Sequence, residues 1–226
     1  MAERKIMAQV FSSVSIVYDK FVSIITLGGI HKWQKKLINL MGDSGNWIDV
    51  GTGTGEVLLK LQNANLKIGI DVAFGMLVRS KEKCTTCHFI LADAENMPFK
   101  DGVFDKVSLS LVFRHLGNQE NFLKEARRIT SPGAKIGLID IRKLAGSGIL
   151  AFLMKTVFLP FGILIFGKGK WDFFIHSIEK SFTIEEVKDL LESVGFKVIK
   201  VETSFLGFVY IIVAQSLEAT GGFEPP

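Results

Sequence analysis

The sequence has little from which to build a metal centre, an export signal or a polyanion-binding face. It holds only two cysteines, in the run Cys84-Thr85-Thr86-Cys87-His88. C-x-x-C-H matches c-type haem attachment, and C-x-x-C matches dithiol and zinc half-sites. No second cysteine pair exists to complete a tetrahedral zinc site, and residues 1 to 10 carry early charge without the apolar core or cleavage site of a secretory peptide. A chance arrangement of loop and strand residues is therefore expected at Cys84 and Cys87, with an oxidisable surface dithiol as the minor alternative and no metal. Charge of one sign is also scarce. A formal net charge of +4 with scattered lysines and arginines does not form a nucleic-acid face. No Gly/Pro/Ser-rich linker, charge block or repeat divides the chain, so a single domain over residues 1–217 is expected, ending in a frayed tail at 218–226.

What is present centres on Trp47-Ile48-Asp49-Val50-Gly51-Thr52-Gly53-Thr54-Gly55-Glu56. An apolar run without a helical stripe reads as a buried strand, and three glycines then lead to a helical pattern at Val57 to Leu61. Glycine lets backbone approach a ligand closely, and a helix start offers unpaired N–H groups. Lys67 to Asp71 reads as a second parallel strand whose terminal carboxylate would take ribose hydroxyls, with a crossover helix between the two. Cys87 to Ala92 and Phe104 to Ser110 read as further strands, with Asp93-Ala94 and Ser110 at their carboxyl ends, where open parallel sheets bind ligands. A hydride-transfer enzyme would prefer G-x-G-x-x-G, and the spacing around Thr54 favours S-adenosylmethionine over a nicotinamide cofactor.

Asp49 to Gly55, Gly69-Ile70-Asp71, Asp93 to Phe99, Phe104-Asp105 and Glu125 to Gly133 together resemble class I S-adenosylmethionine-dependent methyltransferases. Val10 to Asp19, Gly29 to Trp33 and Trp171 to Ile178 are similar, more specifically, to the menaquinone and ubiquinone biosynthesis C-methyltransferases. The resemblance implies a Rossmann-like α/β fold: a mostly parallel seven-stranded sheet with an antiparallel C-terminal strand and helices on both faces. It also implies a donor, S-adenosylmethionine, and an acceptor, a reduced prenylated quinone methylated on a ring carbon, specifically demethylmenaquinol to menaquinol. The cofactor residues implied are Asp49, Gly51, Gly53, Thr54, Gly55, Asp71, Asp93, Ala94 and Ser110. Arg114 matches the family arginine and is the first choice to stabilise developing charge on the ring oxygen. His115, which replaces a family amide, is a secondary proton acceptor, and Tyr18 and His31 are further candidates. Asp140 stands where the family has Glu.

Phe11, Val14, Val17 and Tyr18 can share one helical stripe and Ile30 to Met41 a second, so residues 1–46 are expected to form a helical cap. Residues 118 to 130 read as an amphipathic helix stopped by Pro132-Gly133, before a strand at Lys135 to Asp140. Ser181 to Glu186 carries a capping signature. Phe196 to Glu202 and Phe208 to Ala214 read as an antiparallel closing pair.

Between them, residues 144–180 form an apolar insertion. Neither apolar half reaches transmembrane length, and Lys155 and Pro160 interrupt them. The insertion is expected to cover the substrate cavity and meet a membrane surface, with Trp171, Phe173 and Phe174 at the interface. The expected setting is cytoplasmic, peripheral on the inner face of the membrane, as a monomer or homodimer. Two other classes stay open: a methyltransferase acting on oxygen, nitrogen or another carbon of a different hydrophobic molecule, and a non-catalytic membrane-associated binding protein.

Overall fold

Trp47, Ile48, Asp49 and Val50 at the end of β1 (Ser44–Val50) are all buried, as a mostly apolar strand is when helices cover both faces of a sheet. In the computed structural model, which describes residues 2–143 and 156–217, β1 is the centre of a seven-stranded sheet. The others are β2 (Asn63–Asp71), β3 (His88–Leu91), β4 (Phe104–Ser110), β5 (Thr130–Ile141), β6 (Phe196–Ser204) and β7 (Val209–Ser216). Their order is β3-β2-β1-β4-β5-β7-β6. Only β7 runs against its neighbours. The strand order reverses beside β1, and such a switch point leaves a crevice outside the carboxyl ends.

Helices α1 (Ala2–Val14), α2 (Tyr18–Ile25) and α3 (Gly29–Met41) precede the sheet. The next are α4 (Phe74–Lys83), α5 (Gln119–Ile129), α6 (Leu159–Phe166), α7 (Lys168–Glu179) and α8 (Ile184–Ser193). On α5, Phe122, Leu123, Ala126 and Ile129 are fully buried, and each large side chain contributes about 1.5–3 kcal/mol by leaving water. Asn118 Oδ1 caps this helix by accepting from the Asn121 amide at 2.9 Å. The expected capping box on α8 forms between Thr183 and Glu186. α3 packs against β5 at Gly137, where any Cβ would overlap Met41 Sδ and Leu37 Cδ1. That close approach also brings Gln34, one helical turn before Leu37, against the sheet.

Several sequence expectations are corrected. The crossover after the glycine turn is a single 3-10 turn, Leu58–Lys60, not a helix; Leu61 is already extended, and Gln62 N–H donates to Asp43 at 2.9 Å as β2 begins. The stripe from Phe11 to Tyr18 is split, because the chain turns between α1 and α2 and leaves Val17 exposed. β5 begins at Thr130, and an irregularity opposite Phe104 to Lys106 absorbs Pro132-Gly133. Cys84 and Cys87 are not a chance arrangement, and the oxidisable pair is buried instead of at the surface. They form a disulfide, with both side chains buried where α4 ends and the chain returns toward β3.

Trp171 is buried, not interfacial. It meets Phe21 edge to face at 5.9 Å and lies so close to Gly162 that a Cβ there would overlap its ring. Residues 144–155 of the expected insertion, and the side chains of Phe173 and Phe174, lie outside the described residues. Among the described residues no single helix is long and apolar enough to cross a membrane. Ala8–Val14 and Tyr18–Ile25 reach that measure only as a pair bent by 89°.

Candidate functional site

A cavity opens at the carboxyl ends of β1, β2 and β4 and is roofed by the N-terminal helices. Asp49, Gly51, Gly53, Thr54, Asp71, Asp93, Ala94 and Ser110 line it, as do Tyr18, His31 and His115. Gly55 and Arg114 are not part of its wall. Gly55 turns the chain against Ser80 and Phe89.

The strand-end acids are held by backbone and hydroxyl donors. Asp71 accepts from the Gly53 amide at 2.9 Å and the Ala73 amide at 2.8 Å. Burial raises its pKa, while the amides of Ala73, Gly53 and Val72 oppose the rise. Asp49 accepts from Ser108 Oγ at 2.6 Å, and that hydroxyl accepts from the Trp47 indole at 2.9 Å. Burial pushes Asp49 up to about 7 against the hydrogen bond from Ser108. Asp93 turns one carboxylate oxygen to the Glu95 amide at 3.0 Å, a local turn contact that fixes the acid beside Ala94.

A charged cluster ties the glycine turn to the roof. Thr54 Oγ1 donates to Asp19 Oδ1 of α2 at 2.6 Å. The Lys83 ammonium donates to Asp19, to Thr54 and, at 2.9 Å, to Glu56. Lys60 holds the other Glu56 oxygen. Burial alone would raise the Glu56 pKa, but Lys83 and Lys60 outweigh it and lower it. Sequence reasoning missed this role of Lys83, since its partners come from α2 and the turn.

Toward α2 and α3 the wall becomes apolar, through Phe11, Val22, Ile30, Leu111 and Leu116. Tyr18 stands there with its phenol pushed up to about 12 by burial. His115 meets Phe11 edge to face at 5.4 Å. Burial, then the charges of Arg114 and Lys180, hold the His115 imidazole well below its ordinary pKa, so it is neutral near pH 7. Arg114, expected at the acceptor, instead pairs with Asp140 and also donates to the Leu111 carbonyl at 3.0 Å. The carboxylate at position 140 draws it out of the cavity wall.

Gln34 was also missed. It is buried in the cavity wall and donates from Nε2 to Ser110 Oγ at 3.3 Å, while its Oε1 is buried without a hydrogen-bond partner. A glutamine on a helix otherwise read as apolar and basic gives no sequence signal of this placement.

These residues fit the expected cofactor, S-adenosylmethionine. Gly53 adopts φ +55°, with nothing within 4 Å of where a Cβ would stand, so this left-handed turn leaves room that a side chain would fill. Asp49, Asp71 and Asp93 turn three carboxylates toward this one cavity, acceptors of the kind that the cofactor's hydroxyls, amine and ammonium need.

Residues 1–215 match the family described as the ubiE/COQ5 methyltransferase family. The chain is 26% identical over 202 residues to the demethylmenaquinone methyltransferase of Thermotoga maritima, covering 84% of this chain and 87% of that one. It is 27% identical over 237 residues to the ubiquinone/menaquinone biosynthesis C-methyltransferase UbiE of Campylobacter jejuni, covering 96% and 100%. Among solved structures, a SAM-dependent methyltransferase from Aquifex aeolicus superposes with TM-score 0.60 at 20% identity, over 81% of this chain and 89% of that one. The [4+2]-cyclase SpnF superposes with TM-score 0.64 at 14% identity, over 84% and 81%. The structural likenesses speak to the fold, on which reaction class varies.

Proposed function

The chain belongs to the ubiE/COQ5 methyltransferase family, and from that premise we propose that it methylates a ring carbon of a reduced, prenylated quinone, converting demethylmenaquinol to menaquinol. The observation that carries this reading is one continuous cavity with two kinds of wall. Its sheet-end acids suit a nucleoside cofactor, and its apolar end, with a neutral imidazole, suits an aromatic ring bearing hydroxyls. Bound S-adenosylmethionine supplies the methyl group as an electrophile. Asp71, Asp93 and Asp49 hold that cofactor, with Gly51, Gly53, Thr54, Ala94 and Ser110 shaping its bed and Gly55 turning the chain behind it.

His115 takes the proton of a ring hydroxyl, which raises electron density on the ring carbon that forms the new bond. The C–H proton of the methylated carbon then passes to water as aromaticity returns, and the His115 imidazolium gives its proton back to the ring oxygen, so one methyl enters and one proton leaves. Tyr18, protonated at neutral pH, donates toward the ring oxygen. Arg114 acts at one remove: its contacts with Asp140 and Leu111 hold the turn that presents His115. Orientation of the ring against the methyl then supplies much of the rate.

The prenyl tail leaves through the apolar roof to a membrane surface. Leu164 of α6 is 84% exposed and Leu27, at the α2–α3 turn, 86%, and a lipid surface would take both side chains from water.

The test is turnover of a ring-deuterated acceptor with S-adenosylmethionine, using reduced and oxidised quinones in parallel. Exchange of one deuteron for one methyl on the reduced ring alone is expected. Methylation with all ring deuterium retained would assign the chain to transfer onto oxygen.

A further inference from the structure

We infer that Gln34 recognises a hydroxyl of the acceptor ring and makes the cavity selective for the reduced over the oxidised acceptor. The inference rests on the quinol reading above and deepens it. Gln34 is 5% exposed. Its Nε2 is engaged by Ser110 Oγ at 3.3 Å, which orients the carboxamide and leaves Oε1 as a buried acceptor without a donor. Such an atom carries a desolvation cost until a donor arrives.

Gln34 lies on α3, a turn from Ile30, on the apolar side of the cavity, whereas the acids suited to the cofactor stand on the ends of β1, β2 and β3. The donor is therefore sought on the ring. A quinol presents O–H groups there, while the oxidised quinone presents carbonyl oxygens whose lone pairs would face the lone pairs of Oε1. A site built to accept from a hydroxyl rejects an analogue without it, because its own buried group stays unpaired.

Binding of a short-tailed quinol and its oxidised quinone, measured by calorimetry under anaerobic conditions with S-adenosylhomocysteine present, tests the inference in the wild type and in Gln34→Met. The wild type is expected to favour the reduced ring by roughly tenfold or more, and Q34M to bring the ratio close to one. Q34M also removes the Nε2 contact to Ser110 in the cofactor bed, so cofactor affinity is measured in parallel and the reduced-to-oxidised ratio is read at saturating S-adenosylhomocysteine. Equal wild-type affinity for the two redox states would overturn the inference without recourse to a variant. So would a folded Q34M that keeps the wild-type ratio, whatever its cofactor affinity. If the wild type binds neither ring, the quinol reading falls as well, which separates that failure from failure of Gln34 alone.

Discussion

The Asp140 carboxylate holds Arg114 at both ends: one oxygen pairs with the guanidinium, and the other accepts the Arg114 backbone N–H at 3.1 Å. Both side chains are almost fully buried. Removing one partner strands a buried charge, so R114A is expected to lose about 3–5 kcal/mol, a fall in Tm of roughly 10 °C for a chain of this size. R114M/D140L, which removes both charges, should recover most of that stability and keep turnover within about tenfold of wild type. A loss of roughly 10² to 10³ in a stable double variant would place Arg114 at the ring oxygen. H115N should lower turnover by about 10² with cofactor affinity retained. Because burial holds the imidazole neutral, the acid limb of the wild-type rate profile should lie below the ordinary histidine range.

Asp71 should govern cofactor affinity. In D71A the cofactor loses charge-assisted contacts and the Gly53 and Ala73 amides lose their acceptor, so the dissociation constant is expected to rise about tenfold or more. Calorimetry on a variant with a normal melting transition measures this. Unchanged affinity would remove Asp71 from the ribose site.

Much of this geometry is legible in the sequence, where local chemistry dominates. The end of β1 shows as an apolar run around one acid, the turn shows as alternating glycines, and the α8 cap shows as Thr183 with Glu186 three residues on. What was not legible depends on partners distant in the chain. Nothing local to Trp171 announces that Phe21 and Gly162 bury it. Nothing near Gln34 announces Ser110, and the orientation of Arg114 follows from Asp140 on another strand. The missing crossover helix reflects a chain that reaches Asp43 and starts β2 before a full helical turn can close.

Asp49 predicts a pH dependence of stability. Its pKa in the fold is raised from 3.8 to about 7, so between those values the unfolded chain gives up a proton that the folded chain keeps. This group's contribution therefore falls as pH rises from about 4 to about 7 and is constant above. The full cost is on the order of 4 kcal/mol. D49N, which does not titrate, should show a flatter stability profile over that window in denaturant titrations. Parallel profiles would place the Asp49 pKa near its ordinary value.

Leu164 tests the membrane contact. L164D puts a charge on an exposed apolar residue of α6, so it should bind lipid vesicles several-fold more weakly and turn over a long-tailed quinol more slowly, with a short-tailed quinol little affected. Co-sedimentation with vesicles and paired rate measurements check this. Equal effects on the two substrates would assign α6 to packing over the cavity.

Transfer of a labelled methyl group tests the central claim most directly. The purified protein is incubated anaerobically with S-adenosylmethionine carrying a ¹³C methyl and with a reduced demethylated naphthoquinol, and the product is examined by carbon-proton NMR. The account predicts a labelled methyl bonded to a ring carbon, in place of the ring proton. A labelled methoxy signal, or label that never reaches the quinol while the cofactor binds normally, would contradict it.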